Sequence, residues 1–69
     1  MIEFPLDGHE YIELNKLLKL LRLVGSGGEA NFHIEEGEVM VNEMKETQKR
    51  KKLRIGDIIA FNGKQIVIR

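Results

Sequence analysis

Apolar side chains recur at Leu14, Leu17, Leu18, Leu21 and Val24, a spacing that gathers them on one face of an α-helix. The opposite face is polar, carrying Asn15, Lys19 and Arg22 with Lys16 to one side. Asn15 suits an N-cap and Gly25 tolerates positive φ, so the helix is predicted to open at the one and close at the other. Ser26 followed three residues later by Glu29 forms a capping box, in which each side chain accepts a bond from the other's backbone N–H. A second helix is therefore predicted from about residue 27 to 36. It would present Ala30 and Ile34 to the first helix, with Phe32 and His33 flanking that face and Gly37 as its stop.

From Glu38 the period falls to two. Val39 and Val41 point one way and Glu38, Met40 and Asn42 the other, as in a half-buried strand. Asn42-Glu43-Met44 reads as a turn, followed by a polar stretch over 45–52, after which Leu53 and Ile55 resume alternation. Gly56-Asp57 makes a tight turn into Ile58-Ile59-Ala60-Phe61, and Asn62-Gly63 is a favoured type I′ hairpin pair. Residues 64–68 should then fold back with Ile66 and Ile68 on one face. Ahead of the helices, Ile2 to Leu6 reads as a short edge segment, since Pro5 cannot donate to a ladder, and Asp7-Gly8 as a turn. Tyr11 to Leu14 suits either an extended stretch or a helix lead-in. The order is strand, helix, helix, small antiparallel sheet, in an α+β fold that forms one domain over 1–69.

With 69 residues and 8.0 kDa, one core supplies about 3–5 kcal/mol of net stability. No cysteine is present, which excludes a disulfide framework and a thiolate zinc site and leads to the expectation of a reducing, cytoplasmic setting. The longest apolar stretch, Leu17 to Val24, is interrupted by Lys19 and Arg22, so no membrane span is expected.

Net charge is zero, with 11 basic and 11 acidic residues. That balance hides an asymmetry. Residues 1–44 carry three basic groups (Lys16, Lys19, Arg22) against nine acidic ones, and residues 45–69 carry eight basic groups against only Glu46 and Asp57. In Gln48-Lys49-Arg50-Lys51-Lys52-Leu53-Arg54 five of seven residues are cationic. Such a run is either a solvated, self-repelling loop or a contact for a nucleic-acid backbone. Lys16, Lys19 and Arg22 either solubilise a leucine-rich helix or extend that contact. Ser26-Gly27-Gly28 leaves a helix N-terminus without bulky side chains, which suits a tight helix–helix turn, a phosphate, or both.

Catalytic chemistry has little to stand on. His9 and His33 fall in different elements, no H-E-x-x-H or C-x-x-C spacing exists, and the Ser26 hydroxyl lacks a Gly-x-Ser-x-Gly context and is already explained by capping. Glu35 and Glu36 sit near a helix C-terminus, where the dipole disfavours them, with no partner that would make an acid–base pair. No enzyme, metal or cofactor is expected. The aromatics Phe4, Tyr11, Phe32 and Phe61 are scattered singly, so stacking on single-stranded bases is poorly supported and binding to backbone and shape is expected instead.

Taken in order, Leu14-Asn15-Lys16-Leu17-Leu18-Lys19, then Ser26 with Ala30 and Ile34, then Gly37-Glu38-Val39-Met40-Val41-Asn42, then Gly56-Asp57-Ile58-Ile59 resemble the S4 RNA-binding domain over residues 13–61. That family pattern has a helix opening with Leu-Asp, a second helix opening near Ser-Arg and carrying Ala, a Gly-x-Val-x-Val-Asn strand, and a Gly-Asp before an apolar strand. The small size and the Ser-Gly-Gly turn further resemble the stand-alone S4-like proteins of bacteria. The resemblance implies the αL motif: two short packed helices against a small, mainly antiparallel β-sheet, with helices and basic loop forming one surface for structured RNA, ribosomal or transfer RNA among them. Asn15 stands at the helix-opening Asp position, Lys16 and Lys19 at polar positions after it, and Asn42 at the strand-end Asn. Gly27 replaces an Arg that touches RNA in many S4 domains, and Glu13 replaces a commonly basic residue. The expected RNA-binding set is Lys16, Lys19, Arg22, Ser26, Gly27, Gly28, Asn42, Lys45, Lys49, Arg50, Lys51, Lys52 and Arg54, with Glu35, Glu36, Glu38 and Glu43 lying away from the RNA. Duplex DNA stays open as a ligand, and a monomer is expected. The competing reading is a protein-interaction module that uses the charge asymmetry to dock an acidic partner or to self-associate.

Overall fold

The computed structural model describes residues 1–69. The chain runs β1 (Ile2–Phe4), β2 (Ile12–Glu13), α1 (Leu14–Leu20), α2 (Gly27–Glu35), β3 (Val39–Val41), β4 (Met44–Lys45), β5 (Lys52–Leu53), β6 (Ile58–Phe61) and β7 (Lys64–Ile68). Five strands form a sheet in the order β1-β7-β6-β3-β4, and β2 and β5 form a separate two-stranded ribbon. All pairings are antiparallel except β1 with β7, which run parallel with Ile2 opposite Ile66 and Phe4 opposite Ile68. The architecture is α+β, two short helices packed against a mainly antiparallel sheet.

The period-two and helical patterns converge on one core. Val39 and Val41 of β3, Ile59 and Phe61 of β6, and Ile66 and Ile68 of β7 meet Leu14, Leu17 and Leu18 of α1 and Ala30 and Ile34 of α2. Ala30 is fully buried, and its small side chain lets the two helices approach closely. Leu6, Val24 and Leu53 complete the cluster from connecting segments and the ribbon.

Several boundaries differ from those the local pattern predicts. Asn15 does not cap α1; the cap position is Glu13, whose side chain makes no capping bond. The first helical amides are satisfied from far along the chain, Leu14 N–H donating to the Lys51 carbonyl at 2.9 Å and Asn15 N–H to the Lys49 carbonyl at 3.0 Å. The Asn15 amide group instead donates to Asn31 Oδ1 at 3.1 Å, tying α1 to α2. At the other end Gly25 is not the stop. Arg22 takes the left-handed position at φ 57, with Leu23 N–H bonded to Leu18 O and Arg22 N–H to Lys19 O, both at 3.0 Å. This is a Schellman closure with arginine where glycine is usual.

α2 follows its prediction more closely. Ser26 Oγ accepts from Glu29 N–H at 3.1 Å, and Gly37, at φ 78, closes the helix through bonds from Gly37 to Ile34 and from Glu38 to His33. The capping box is only half made, because no return bond reaches Ser26 N–H. The Glu29 carboxylate lies instead beside Gly25, where a Cβ would meet its Oε2 at 2.8 Å.

Two expectations for the sheet are corrected. Asn42 and Glu43, at φ 51 and 69, form a two-residue hairpin that pairs Val41 with Met44, so the polar stretch begins with a short strand. Ile55 belongs to no strand and is 73% exposed, because Gly56-Asp57 turns the chain before alternation can continue. Asn42 holds this corner together. Its amide donates to Asp57 Oδ1 at 3.0 Å, its Oδ1 accepts from Ile58 N–H at 2.9 Å, and Asp57 Oδ2 accepts from Arg54 N–H at 2.8 Å. Asn42→Ala removes two of these bonds and a residue type that tolerates the left-handed turn better than alanine, and should cost about 1–2 kcal/mol. A lowered urea midpoint at unchanged m-value is the expected result, and an unchanged midpoint would show that the corner does not depend on this side chain.

Candidate nucleic-acid interface

The basic segment is fixed to the helix pair by its backbone. Lys51 N–H bonds the Gln48 carbonyl at 3.2 Å, closing a turn whose Lys49 and Lys51 carbonyls take the first amides of α1. The segment then enters β5, which pairs with β2 so that Lys52 lies opposite Glu13 and Leu53 opposite Ile12. Residues opposite one another share a face: Ile12 and Leu53 turn to the core, while Glu13 and Lys52, with Tyr11 and Arg54 one step on, turn to solvent. The carbonyls thus point at the helix and the cationic side chains of Lys49, Arg50, Lys52 and Arg54 remain exposed, with Lys51 partly covered.

Lys16 and Lys19 stand on the exposed side of α1, Lys16 one residue beyond the amides that bind the loop and Lys19 about 4.5 Å farther along the axis. Lys45 lies at the C-terminus of α2, its stem so close to Gly37 that an added Cβ there would meet Lys45 Cδ at 2.9 Å. Lys49 reaches the same helix end and pairs with Glu35 at 3.1 Å. Glu35 therefore does not lie away from the basic segment, and its position against the helix dipole is offset by this lysine. Lys16 meets Glu13 at 3.8 Å. Both pairs are exposed and worth at most about 1 kcal/mol, so either lysine can exchange its carboxylate for a phosphate. No carboxylate pairs with Lys19, Arg22, Lys45, Arg50, Lys51, Lys52 or Arg54.

The remaining expected contacts are elsewhere. Lys49 meets Glu35 at the C-terminal end of α2, so Ser26, Gly27 and Gly28, which open that helix, lie at its far end, about 12 Å from Glu35 along the axis. Arg22 is the cation on that side. The amides there are free of side-chain bulk, but the Glu29 carboxylate beside Gly25 already answers the positive helix end. Asn42 is exposed, but both ends of its amide are engaged by Asp57 and Ile58 of the same chain. Sequence reasoning passed over Tyr11. Its ring lies 4.9 Å from Lys52 Nζ and 5.6 Å from the Arg54 guanidinium carbon, and the clue was its alternation with the core residue Ile12.

The fold is shared with known proteins. The S4 domain family matches residues 4–69. The chain belongs to the S4 domain family. YbcJ of Escherichia coli (strain K12) is 38% identical to this S4 domain over 68 residues, covering 99% of this chain and 97% of that protein. The solution structure of YbcJ from E. coli, described as revealing an αL motif involved in RNA-binding, superimposes with a TM-score of 0.74 over 99% of this chain and 86% of that one. A probable ribosome maturation protein of Bacillus subtilis (strain 168), RlbA, is 37% identical over 54 residues, 78% of this chain and 76% of that protein.

Within this S4 domain Arg22 combines a strained backbone with a free charge. Arg22→Gly removes the left-handed penalty of about 1–2 kcal/mol and adds the smaller entropic cost of glycine, and should raise stability by about 0.5–1 kcal/mol. Thermal or urea unfolding measures this, and a loss of stability would show that packing of the arginine stem outweighs the backbone term.

Proposed function

We propose that this S4 domain binds structured RNA through phosphate and shape contacts, using Lys49, Arg50, Lys51, Lys52 and Arg54 together with Lys16 and Lys19. The observation that carries the reading is the bonding of the Lys49 and Lys51 carbonyls to the first amides of α1, which converts a self-repelling run into a fixed row of charges beside the exposed side of the helix. A fixed row matches the regular phosphate spacing of a folded nucleic acid with less ordering cost on binding than a mobile tail. Lys45 extends the row at the C-terminus of α2. Ser26, Gly27 and Gly28 lie outside this footprint, and Asn42 supports it from within. Few side chains are placed to read base edges, so the ligand is recognised as a helix or stem-loop junction rather than by sequence.

Ribosomal RNA is the ligand this reading favours, supported by the ribosome-maturation name of the B. subtilis relative and the RNA-binding description of the YbcJ structure. The domain acts as a monomer, in the cytoplasm, and binds without catalysis. The largest surface concavity, between Met1, Ile2, Ala60, Gly63, Lys64 and Gln65, offers no pair of reactive groups. No helix is long and apolar enough to cross a membrane.

Replacing Lys49, Arg50, Lys51 and Lys52 by Ala should lower affinity for a ribosomal stem-loop by at least about tenfold at moderate salt. The plot of log affinity against log salt should flatten by about one for each phosphate that is no longer neutralised. Titration of the wild-type protein and the variant across a salt series is the test, with a matching DNA hairpin alongside. An unchanged affinity and slope would overturn the assignment and favour a protein-docking role.

A further inference from the structure

Tyr11 joins two features that the phosphate row leaves unexplained. Its ring is 38% exposed on the outer face of the β2–β5 ribbon, and two cations reach it, both from β5 or just beyond. The ring also lines a shallow, mainly apolar groove with Phe4, Pro5, Leu6, Ile12 and Leu20, to which Asp7 and His9 add polar groups. Leu20 is 63% exposed and lies off the buried face of α1, so the core does not account for it. An aromatic ring, apolar walls and two polar groups, with Lys52 and Arg54 at the ring, form a surface whose chemistry matches a single nucleotide: a flat base against ring and aliphatic carbons, and its phosphate against the cations.

We infer that Tyr11 is a stacking platform for one unpaired base of the bound RNA, seated in this groove. The inference rests on the RNA-binding reading and deepens it, because it places a single-stranded feature at one end of the phosphate row. The domain then distinguishes a bulged or looped-out nucleotide from continuous duplex, a discrimination that phosphate contacts alone do not supply. The two cations at the Tyr11 ring select the occupant, since an apolar peptide stacked there would leave Lys52 and Arg54 unanswered.

The chain holds one tyrosine and no tryptophan, so its intrinsic emission reports on Tyr11 alone. The probes are an RNA hairpin with one unpaired adenine in its stem and the same hairpin fully paired, titrated with the wild-type protein, Tyr11→Leu and Tyr11→Phe across a salt series. The wild-type protein should prefer the bulged hairpin by about 5- to 150-fold, the worth of one base–aromatic stack. That preference should vanish in Tyr11→Leu and return in Tyr11→Phe, with salt slopes equal in all three and tyrosine emission quenched only by the bulged RNA. Retained binding of the paired hairpin by Tyr11→Leu shows that the variant is folded. Equal wild-type affinity for the two hairpins, or absence of quenching, overturns the stacking role while leaving the phosphate reading intact. Failure of the wild-type protein to bind either hairpin overturns both.

Discussion

Two backbone hydrogen bonds, from Leu14 and Asn15 to the carbonyls of Lys51 and Lys49, hold the basic segment and the first helix in place together. α1 has seven residues and no side-chain cap, too short a helix to persist on its own in water. Its opening turn is completed by a segment more than thirty residues later in the chain. The dependence is mutual. A run of five cations in seven residues repels itself, and the positive end of α1 bonds only the carbonyls, leaving the ammonium and guanidinium groups directed outward. Helix formation and presentation of charge are thus one event, and the ribbon of β2 with β5 extends the same contact into the core through Ile12 and Leu53.

What was legible in the sequence was what neighbouring residues decide. α2 could be read from Ser26 at its start and Gly37 at its end, the β6–β7 hairpin from Asn62-Gly63, and the core from the two periodicities, because each signal lies within a few residues of its effect. The misreadings at Asn15 and Gly25 have the opposite cause, whereas Ile55 was misread by giving alternation precedence over the adjacent Gly56-Asp57 turn. Asn15 is a competent cap by composition, but the loop supplies its function at a distance and frees its side chain to bridge to Asn31. Gly25 is a competent stop, yet Arg22 turns the chain first because the apolar stripe must bring Leu23 and Val24 back toward the core. Tyr11 illustrates the same limit for the candidate site. Its neighbours in sequence are ordinary, and only strand pairing brings Lys52 and Arg54 to its ring.

The division of the chain into an acidic and a basic half does not become two poles of the molecule. Glu35 meets Lys49, Glu13 meets Lys16 and Glu3 meets Arg69, so carboxylates are interleaved with the cations and the exposed positive surface is narrower than the sequence count suggests. Within the basic row only Lys16 and Lys49 are answered in this way, by exposed pairs weak enough for a competing anion to displace. The S4 fold here carries a modest charge in a definite place, where a tail of the same composition would carry it nowhere in particular.

The parallel pairing of β1 with β7 has a consequence for the order in which the molecule can assemble. Residues 2–4 and 64–68 lie at opposite ends of this domain's chain order, and each of the three register pairs between them closes a loop of more than sixty residues. Without β7, β1 has no neighbour in the sheet and the floor beneath α1 and α2 lacks Ile66 and Ile68. The helix pair and the β3–β4 hairpin, built from nearer contacts, can form beforehand, but they wait on an unfinished sheet. The leucine-rich helix therefore gains its full cover only when β7 takes its place between β1 and β6, whatever has folded before it.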